Sequence, residues 1–317
     1  MRIVLFILMM LVHYVSFGQD FGPHTFNLVP KNITSVSIYY LNSHNNITPA
    51  KDVVLQNGIV NVNAFVTPIV HTFSLAGQLS QIFITPGVAS IDGFVDVNDH
   101  LSEIVKKSGL VDANVMMRVG ILNTPALDIE NFAKHELKFQ LSGIISVTVP
   151  IGQYSDTRRV NLGGNRWAFK VGTPIIIPLY KTKGKIFQWE IVPSVTFFTH
   201  NTELFAGGVK SQEPLFYLEQ HFSKNFTKRL WASINLDYQY GGKIFINDIS
   251  NGNVINQFGA GATVSYAPFK SFPVTFHTNY GRTWFNDIAG YLFQFGATMS
   301  IPSKAGRKYI KSLNEKE

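Results

Sequence analysis

The sequence predicts an all-β fold, an antiparallel transmembrane β-barrel of about twelve strands with long extracellular loops and short periplasmic turns. Three observations lead to it. Polar and apolar residues alternate over many stretches, hydrophobic residues are abundant without forming long runs, and charged residues are scarce. A soluble β-sandwich shares the alternation, so the choice between the two folds depends on composition.

Composition favours the membrane barrel. Hydrophobic residues make up 45% and aromatic residues 13% of the 317 residues, while charged residues make up 15%. Soluble domains usually carry about 25% charged residues. After the N-terminus, no apolar run approaches the roughly 20 residues that a membrane helix needs. The polar rows consist mostly of amides and hydroxyls, whereas a sandwich needs charged residues on its water-facing side. We therefore expect the apolar rows to face lipid.

Alternation locates the strands, because successive side chains of a β-strand point to opposite faces. The longest stretch is Glu136–Val149, in which only Ile144 interrupts the polar row. Val111–Val119 and Leu230–Tyr240 show the same pattern. The remaining predicted strands are Ile33–Leu41, Ile59–Thr67, Leu79–Thr85, Arg166–Ile177, Ile186–Phe198, Phe216–Ser223, Phe258–Tyr266, Val274–Trp284 and Tyr291–Ile301. Their total is even, as in single-chain bacterial barrels.

The segments between these strands alternate in length, as they do when one end of a barrel faces outwards and the other faces the periplasm. The long polar segments, predicted to be extracellular loops, are Asn42–Ala50, Ala89–Ser108, Gly152–Asn165, Thr199–Glu213 and Gly242–Asn253. The predicted tight turns are Leu75–Gln78, Lys181–Lys185, Lys224–Thr227 and Pro268–Phe272. Asn123–His135 breaks the rule, because it is long but belongs to the periplasmic set.

The N-terminus has the three regions of a cleavable signal peptide. Arg2 supplies the positive charge, Ile3–Val12 the apolar stretch, and Ser16 and Gly18 the small residues before the cleavage point. An uncleaved anchor helix is the alternative. The predicted organisation is a signal peptide at 1–18, a periplasmic N-terminal segment at 19–32 that could be a plug or strap, the outer-membrane barrel at 33–302 and a basic periplasmic tail at 303–317.

Several classes of function are disfavoured by composition. The absence of cysteine excludes a disulfide framework, a thiolate metal site and a cysteine nucleophile. The net charge of +7 is scattered along the chain, which argues against nucleic-acid binding. The histidines show no metal-ligand spacing, and no cofactor is expected. His200 and Asn201 invite comparison with barrel hydrolases, but no serine motif accompanies them, so we do not predict an enzyme.

Polar residues of the strands are the candidate functional residues, because they face the lumen if the apolar rows face lipid. The predicted lumen-lining residues are Asp112, Asn114, Arg118, Glu136, Lys138, Gln140, Lys170, Gln188, Glu190, Glu219, His221, Asn235, Asp237, His277 and Asn279. Their charges could form structural ion pairs or contact a solute. The third outer loop could bind lipopolysaccharide phosphates or anionic solutes, or simply be solvated. The predicted outer-loop residues are Arg158, Arg159, Asn161, Asn165 and Arg166.

Two neighbouring blocks resemble a known family. Val147–Tyr154 reads Val-Thr-Val-Pro-Ile-Gly-Gln-Tyr, and Val160–Lys170 contains Asn-Leu-Gly-Gly-Asn-Arg-Trp. Both are similar to the family labelled MetA-pathway of phenol degradation, and shorter similar blocks extend over most of the mature chain. The resemblance implies an outer-membrane barrel that helps small, often aromatic or hydrophobic, compounds to cross.

The alternation, the signal peptide and the resemblance together give the functional hypothesis. We expect an outer-membrane channel for passive passage of small molecules, including hydrophobic or aromatic ones. The alternative is a non-transporting barrel with a structural or surface-binding role, its lumen filled by side chains. The expected partners are outer-membrane lipid, lipopolysaccharide, the barrel assembly machinery and a small-molecule substrate.

Overall fold

Twelve antiparallel strands close into one barrel, which confirms the predicted fold class. The computed structural model describes residues 21–47, 58–98, 101–158, 160–182, 185–205, 207–250, 254–269, 273–285 and 288–314. The predicted signal peptide lies outside these residues. Each strand pairs with the strand that follows it in the sequence, and the last strand pairs with the first.

The strands are labelled β1 to β12 in chain order, and four of them consist of two segments separated by a break. Their bounds are Ile33–Ile47 for β1, Gly58–Val66 and Ile69–Leu75 for β2, Gln78–Thr85 and Gly87–Asn98 for β3, Leu101–Leu110 and Ala113–Leu122 for β4, Gln140–Val149 for β5, Ala168–Gly172 and Ile175–Thr182 for β6, Lys185–Phe198 for β7, Leu215–Asn225 for β8, Leu230–Gly241 for β9, Ile255–Tyr266 for β10, Val274–Phe285 for β11 and Ile288–Pro302 for β12. A separate small sheet contains Lys210–Gln212, Ile244–Ile246 and Ile249–Ser250.

Pairing of β1 with β12 closes the barrel. The register runs from Ile33 opposite Pro302 to Asn45 opposite Gly290. Closure matters because the core of a membrane contains no water to satisfy the free N–H and C=O groups of a sheet edge. The seam therefore makes the wall compatible with a lipid environment.

The two faces of the wall are inverted relative to a soluble protein. In β9, Ser233, Asn235 and Asp237 are at most 3% exposed, whereas Ile234 between the first two is 62% exposed. In β8, Glu219 is fully buried. Polar side chains inside and apolar side chains outside are the arrangement that a lipid-facing barrel requires.

Strands β2, β3 and β4 break along a common line. Pro68 and Pro86 have no N–H to give to the sheet, and each lies between the two segments of its strand. At the same level, the Thr67 N–H donates to the Pro86 carbonyl at 3.0 Å and the Val111 N–H donates to the Gly87 carbonyl at 3.1 Å. These bonds connect the breaks across the sheet. Beyond the breaks, Gly58–Val66, Gly87–Asn98 and Leu101–Leu110, called the upper segments of β2, β3 and β4, continue from β1 as one sheet.

The prediction of a loop at Ala89–Ser108 was wrong. Gly87–Asn98 and Leu101–Leu110 are strand segments that pair with each other. Ile91 is 8% exposed on the inner face, while Phe94 is 40% exposed on the outer face. Because both faces carry apolar residues, the polar and apolar alternation that marks a strand is absent from this part of the sequence.

Two helices lie at the end of the barrel where β1 begins and β12 ends, and they contact each other. Helix α1 is Ile129–Lys134 and helix α2 is Lys304–Asn314, within the predicted basic tail. Asp128 caps α1 by accepting a hydrogen bond of 2.9 Å from the Asn131 N–H. This bond holds the pKa of the exposed Asp128 carboxyl below its ordinary value.

A single methyl group at the seam is expected to weaken the barrel. Gly296→Ala places its Cβ against the ring of Tyr39 and the carbonyl of Ile38, and such overpacking costs about 1–3 kcal/mol. We expect a lower midpoint temperature for the gel-mobility change between folded and heat-unfolded protein. Gly143→Ala is the matched control, because its Cβ would meet Ile121 at an ordinary 3.7 Å. Equal midpoints for the two variants would contradict the prediction.

Candidate functional site

The barrel interior gathers most of the residues predicted to line a lumen. Nine of the fifteen are at most 4% exposed: Arg118, Gln140, Gln188, Glu190, Glu219, His221, Asn235, Asp237 and Asn279. In a closed barrel made of one sheet, the buried face of a strand is the inner face, so these side chains point inwards. Contact between any of them and a solute stays a prediction.

A chain of hydrogen bonds crosses the inner face from β8 to β11. His221 lies with Nε2 at 3.1 Å from Glu219 Oε2 and with Nδ1 at 3.1 Å from Asn235 Oδ1. Asn235 Nδ2 donates to Thr263 Oγ1 at 3.0 Å, and Thr263 Oγ1 donates to Asn279 Oδ1 at 3.2 Å. Each of these groups would cost about 1–3 kcal/mol if it were buried without a partner. The chain therefore stabilises a polar inner wall.

The N-terminal segment runs inside the barrel and is held by two carboxylates of the wall. The N–H groups of Phe21 and Gly22 donate to the two oxygens of Glu219, at 2.9 and 3.4 Å. The His24 N–H donates to Glu190 Oε2 at 2.8 Å. Hydrogen bonds to ionised acceptors are stronger than neutral ones, so these carboxylates bind the segment by its backbone.

Further along the segment, Asn27 joins a second polar cluster. Gln188 Nε2 donates to Asn27 Oδ1 at 2.9 Å, and Arg118 Nη1 lies 3.5 Å from the Asn27 carbonyl oxygen. Arg118 also donates to Gln81 at 2.8 Å and to Ser142 at 3.0 Å. A buried guanidinium needs such partners, and here one of them comes from the segment.

Phe26 anchors the segment on an apolar part of the inner wall. Its side chain is 2% exposed. It packs in a cluster with Phe83, Met116, Ile144, Ile176 and Val192. Full burial of a phenylalanine side chain contributes about 1.5–3 kcal/mol. The segment is therefore held by hydrogen bonds at residues 21–24 and by apolar contact at Phe26.

Asp237 is another buried acidic residue of the inner wall. It is 3% exposed, and neither of its carboxylate oxygens has a hydrogen-bond partner among the described residues. It lies opposite Glu219 on the neighbouring strand, with its carboxylate against Gly259. Two acidic side chains, Glu219 and Asp237, thus occupy paired positions on the inner face of β8 and β9.

Two predicted lumen-lining residues lie elsewhere. Glu136 and Lys138 are exposed and precede β5, which begins at Gln140. Leu141 is opposite Leu122, the last residue of β4, and the last pair with β6 joins Gln140 to Ile176, so neither neighbouring strand pairs with the segment before β5. The alternation continues into this segment, but alternation alone does not show where pairing stops.

Three further predicted residues, Asn114, Lys170 and His277, are half-buried on β4, β6 and β11. Asn114 Nδ2 donates to Ser146 Oγ at 2.7 Å, across β4 and β5. Lys170 Nζ lies 4.9 Å from the centre of the Phe21 ring, where a cation is attracted to the aromatic face. Lys170 is therefore another wall residue in contact with the N-terminal segment.

Asp112 binds the loop that carries the family-like motif. It lies in the break of β4, and its two carboxylate oxygens accept hydrogen bonds from the N–H groups of Gly152 and Gly164, at 2.9 and 2.7 Å. A Cβ at Gly163 would come within 2.8 Å of the Gly152 backbone. Only residues without side chains allow the loop to approach Asp112 this closely.

The predicted outer-loop residues shape this loop. Asn161 accepts a hydrogen bond from the Ser155 N–H at 3.0 Å and donates to the Ser155 carbonyl at 3.0 Å. Arg158 is exposed, and its carbonyl accepts a bond of 3.1 Å from Asn161. Arg159 lies outside the described residues. Asn161 is therefore a turn-forming residue, and Arg158 is available to solvent.

Asn165 and Arg166 connect the loop to its neighbours. Asn165 Nδ2 donates to Asn201 Oδ1 at 3.1 Å and to Glu203 Oε2 at 3.0 Å. Arg166 donates to Gln212. These contacts join the loop before β6 to the loop between β7 and β8, so both residues have structural partners.

Sequence reasoning missed several interior residues. Thr263 lies in the polar row of its strand, so the alternation contained a signal that could have found it, whereas Gln81 shares its face with the apolar Leu79 and Phe83. His24 and Asn27 precede the first strand and show no periodic pattern. Their place in the interior follows from contacts between residues that are more than 100 positions apart in the chain.

Within the described parts of the chain, no group of three or more His, Asp or Glu side chains could hold a metal ion. No helix in those parts is long and apolar enough to cross a membrane.

Removing the charge of Asp112 is expected to loosen the loop. In Asp112→Asn, one carboxylate oxygen is replaced by an NH₂ group that cannot accept the bond from Gly164 or Gly152. We expect faster trypsin cleavage at Arg158 in outer-membrane vesicles. Asp156→Asn, in the same loop and exposed, is the control. Cleavage of Asp112→Asn at the wild-type rate would show that Asp112 does not hold the loop in place.

A solved outer membrane channel has a similar fold. The chain is similar to an outer membrane channel from Pseudomonas putida F1, with 14% identity and a TM-score of 0.68, over 89% of this chain and all of that one. It is also similar to the beta domain of the Bordetella autotransporter Brka, with 9% identity and a TM-score of 0.47, over 85% of this chain and 99% of that one. No curated protein matches the sequence.

The family model extends over most of the barrel. It matches residues 44–292, from the end of β1 to β12. The chain therefore belongs to the family described as "Putative MetA-pathway of phenol degradation".

Proposed function

We propose that this protein is a passive outer-membrane channel for small molecules and that its N-terminal segment closes the bore. The observation that carries the proposal is a closed barrel with a polar inner face and an apolar outer face. Such a wall encloses a polar path across lipid. The part of the proposal that concerns hydrophobic or aromatic solutes rests on the family membership.

The contacts of the N-terminal segment support its role as a plug. The segment contributes a buried phenylalanine and backbone donors to the interior. It contacts the inner face of β3, β4, β5, β6, β7 and β8. A solute that passes along this part of the inner wall has to displace the segment, because the segment covers it. Export by the signal peptide, insertion by the barrel assembly machinery and residence among outer-membrane lipid and lipopolysaccharide belong to the same proposal.

A non-transporting barrel is the second candidate, and one observation favours it. The interior at the level of Arg118, Glu190 and Glu219 is filled by side chains and by the segment. If the segment never leaves, the barrel acts as a structural or surface-binding protein. The difference between the two candidates is therefore whether the segment can be displaced.

Weakening the hold on the segment is expected to increase permeability. In Glu219→Gln and Glu190→Gln, a neutral amide replaces the carboxylate that accepts the segment's N–H groups. The change should weaken the hold by about 1 kcal/mol, which is about a fivefold shift towards the open state. The measurement is swelling of liposomes that contain the refolded mature protein, with small neutral sugars as solutes.

The matched control is Glu130→Gln, on α1, where the side chain is exposed and pairs with Lys134. It should swell at the wild-type rate. No swelling for any of the proteins would reject the channel and leave the non-transporting barrel. Swelling that is equal for wild type and both lumen variants would keep the channel but reject the plug.

A further inference from the structure

The inner wall contains a row of rings separated by small residues. Along one line of paired residues from β9 to β1, Trp231 is opposite Ser265, Ser265 is opposite His277, His277 is opposite Gly296, and Gly296 is opposite Tyr39. The three large side chains on this line are all aromatic rings. The two positions between them are Ser265, with a hydroxymethyl group, and Gly296, with no side chain. Neighbouring rings can therefore lean over the small positions.

The ring distances agree with this arrangement. The ring centres of Trp231 and His277 are 6.3 Å apart across Ser265, and those of His277 and Tyr39 are 5.9 Å apart across Gly296. At Gly296 the Tyr39 ring occupies the space that a Cβ would need. The wall itself thus presents an aromatic surface to the interior, built from strands that only the closed barrel brings together.

A ring from the N-terminal segment occupies this surface. The imidazole of His24 stacks on Trp231, with ring centres 4.1 Å apart and planes inclined by 15°. Near-parallel stacking of this kind is favourable for planar rings. The occupant belongs to the movable element of the proposed channel, whereas its platform belongs to the fixed wall.

The same position offers a hydrogen-bond acceptor. Glu190 Oε2 accepts the His24 N–H at 2.8 Å, and Oε1 accepts hydrogen bonds from Gln188 at 2.9 Å and Ser223 at 3.0 Å. If the segment leaves, Oε1 keeps its wall partners and Oε2 loses its donor. A ligand that supplies an N–H or O–H group would replace that donor, and leaving the acceptor empty would be costly.

We propose that the face of Trp231 is a binding site for a small planar aromatic molecule with an N–H or O–H donor, and that His24 occupies this site when the barrel is closed. Such a molecule competes with the segment, because both need the same ring face and the same carboxylate oxygen. Binding then favours the state in which His24 is released. This inference rests on the proposed plug, but binding can be measured without transport.

The test is calorimetric titration of the refolded mature protein in detergent with indole, which has a planar ring and an N–H donor. Trp231→Leu should lose the binding that wild type shows. In His24→Ala the segment loses its stacking contact with Trp231 and is displaced more easily, so indole should bind about threefold to tenfold more tightly. Methylation of the indole nitrogen removes the donor and should weaken binding.

Two controls separate this site from general effects. Trp167→Leu removes an exposed indole that stacks on Phe169, and it should bind like wild type. His71→Ala removes a histidine ring that lies 2.9 Å from the Thr34 hydroxyl, and it should also leave binding unchanged.

The outcomes are distinct. Equal binding by wild type and Trp231→Leu would overturn the site, and this comparison does not depend on whether His24→Ala assembles. If His24→Ala binds indole no more tightly than wild type does, the proposed competition between indole and His24 would be overturned. Binding in a protein that gives no liposome swelling would support the site while rejecting the channel.

Discussion

Closure of the sheet between β1 and β12 is the constraint on which the rest of the structure depends. A sheet in lipid has no water to satisfy its edges, so the backbone must complete its hydrogen bonds within the wall. Once the wall is closed, it has only an inner and an outer face. Apolar side chains such as Ile234 are stable on the outer face, and polar side chains such as Asn235 collect on the inner one.

The inner face then has to satisfy its own polar groups. The bonds from Glu219 through His221 and Asn235 to Thr263 do this along the wall. Arg118 and Glu190 obtain some of their partners from the N-terminal segment instead. Displacing the segment therefore exposes polar groups as well as Phe26, and water or a solute has to replace those contacts.

The breaks in β2, β3 and β4 create a second place where a sheet edge has to be covered. Their upper segments reach beyond the ends of β5 and β6, and in the described residues the upper segment of β4 pairs as a strand only with β3. The loop held by Asp112 lies alongside it, with the Gln153 N–H donating to the Leu110 carbonyl at 2.9 Å. Val160 and Leu162 of this loop pack on Val60, Ile91 and Val105. The family-like motif thus has a structural role in covering a sheet edge.

The sequence by itself determined the fold class, the number of strands and the orientation of most side chains, because alternation is local and records which face of each strand is apolar. Residues of the polar rows such as Glu219, Asn235 and Asp237 lie on the buried inner face. The pattern did not identify the strand segments within Ala89–Ser108, where both faces are apolar in part. It also continues through Glu136 and Lys138, which are exposed and precede β5.

Only the tertiary structure decided what lies inside the barrel and what touches what. His24 and Trp231 are far apart in the sequence, and their stacking depends on the segment entering the barrel. The row from Trp231 to Tyr39 exists only because β12 pairs with β1. Such contacts depend on closure and register over the whole chain, and a pattern that repeats every two residues contains no information about either.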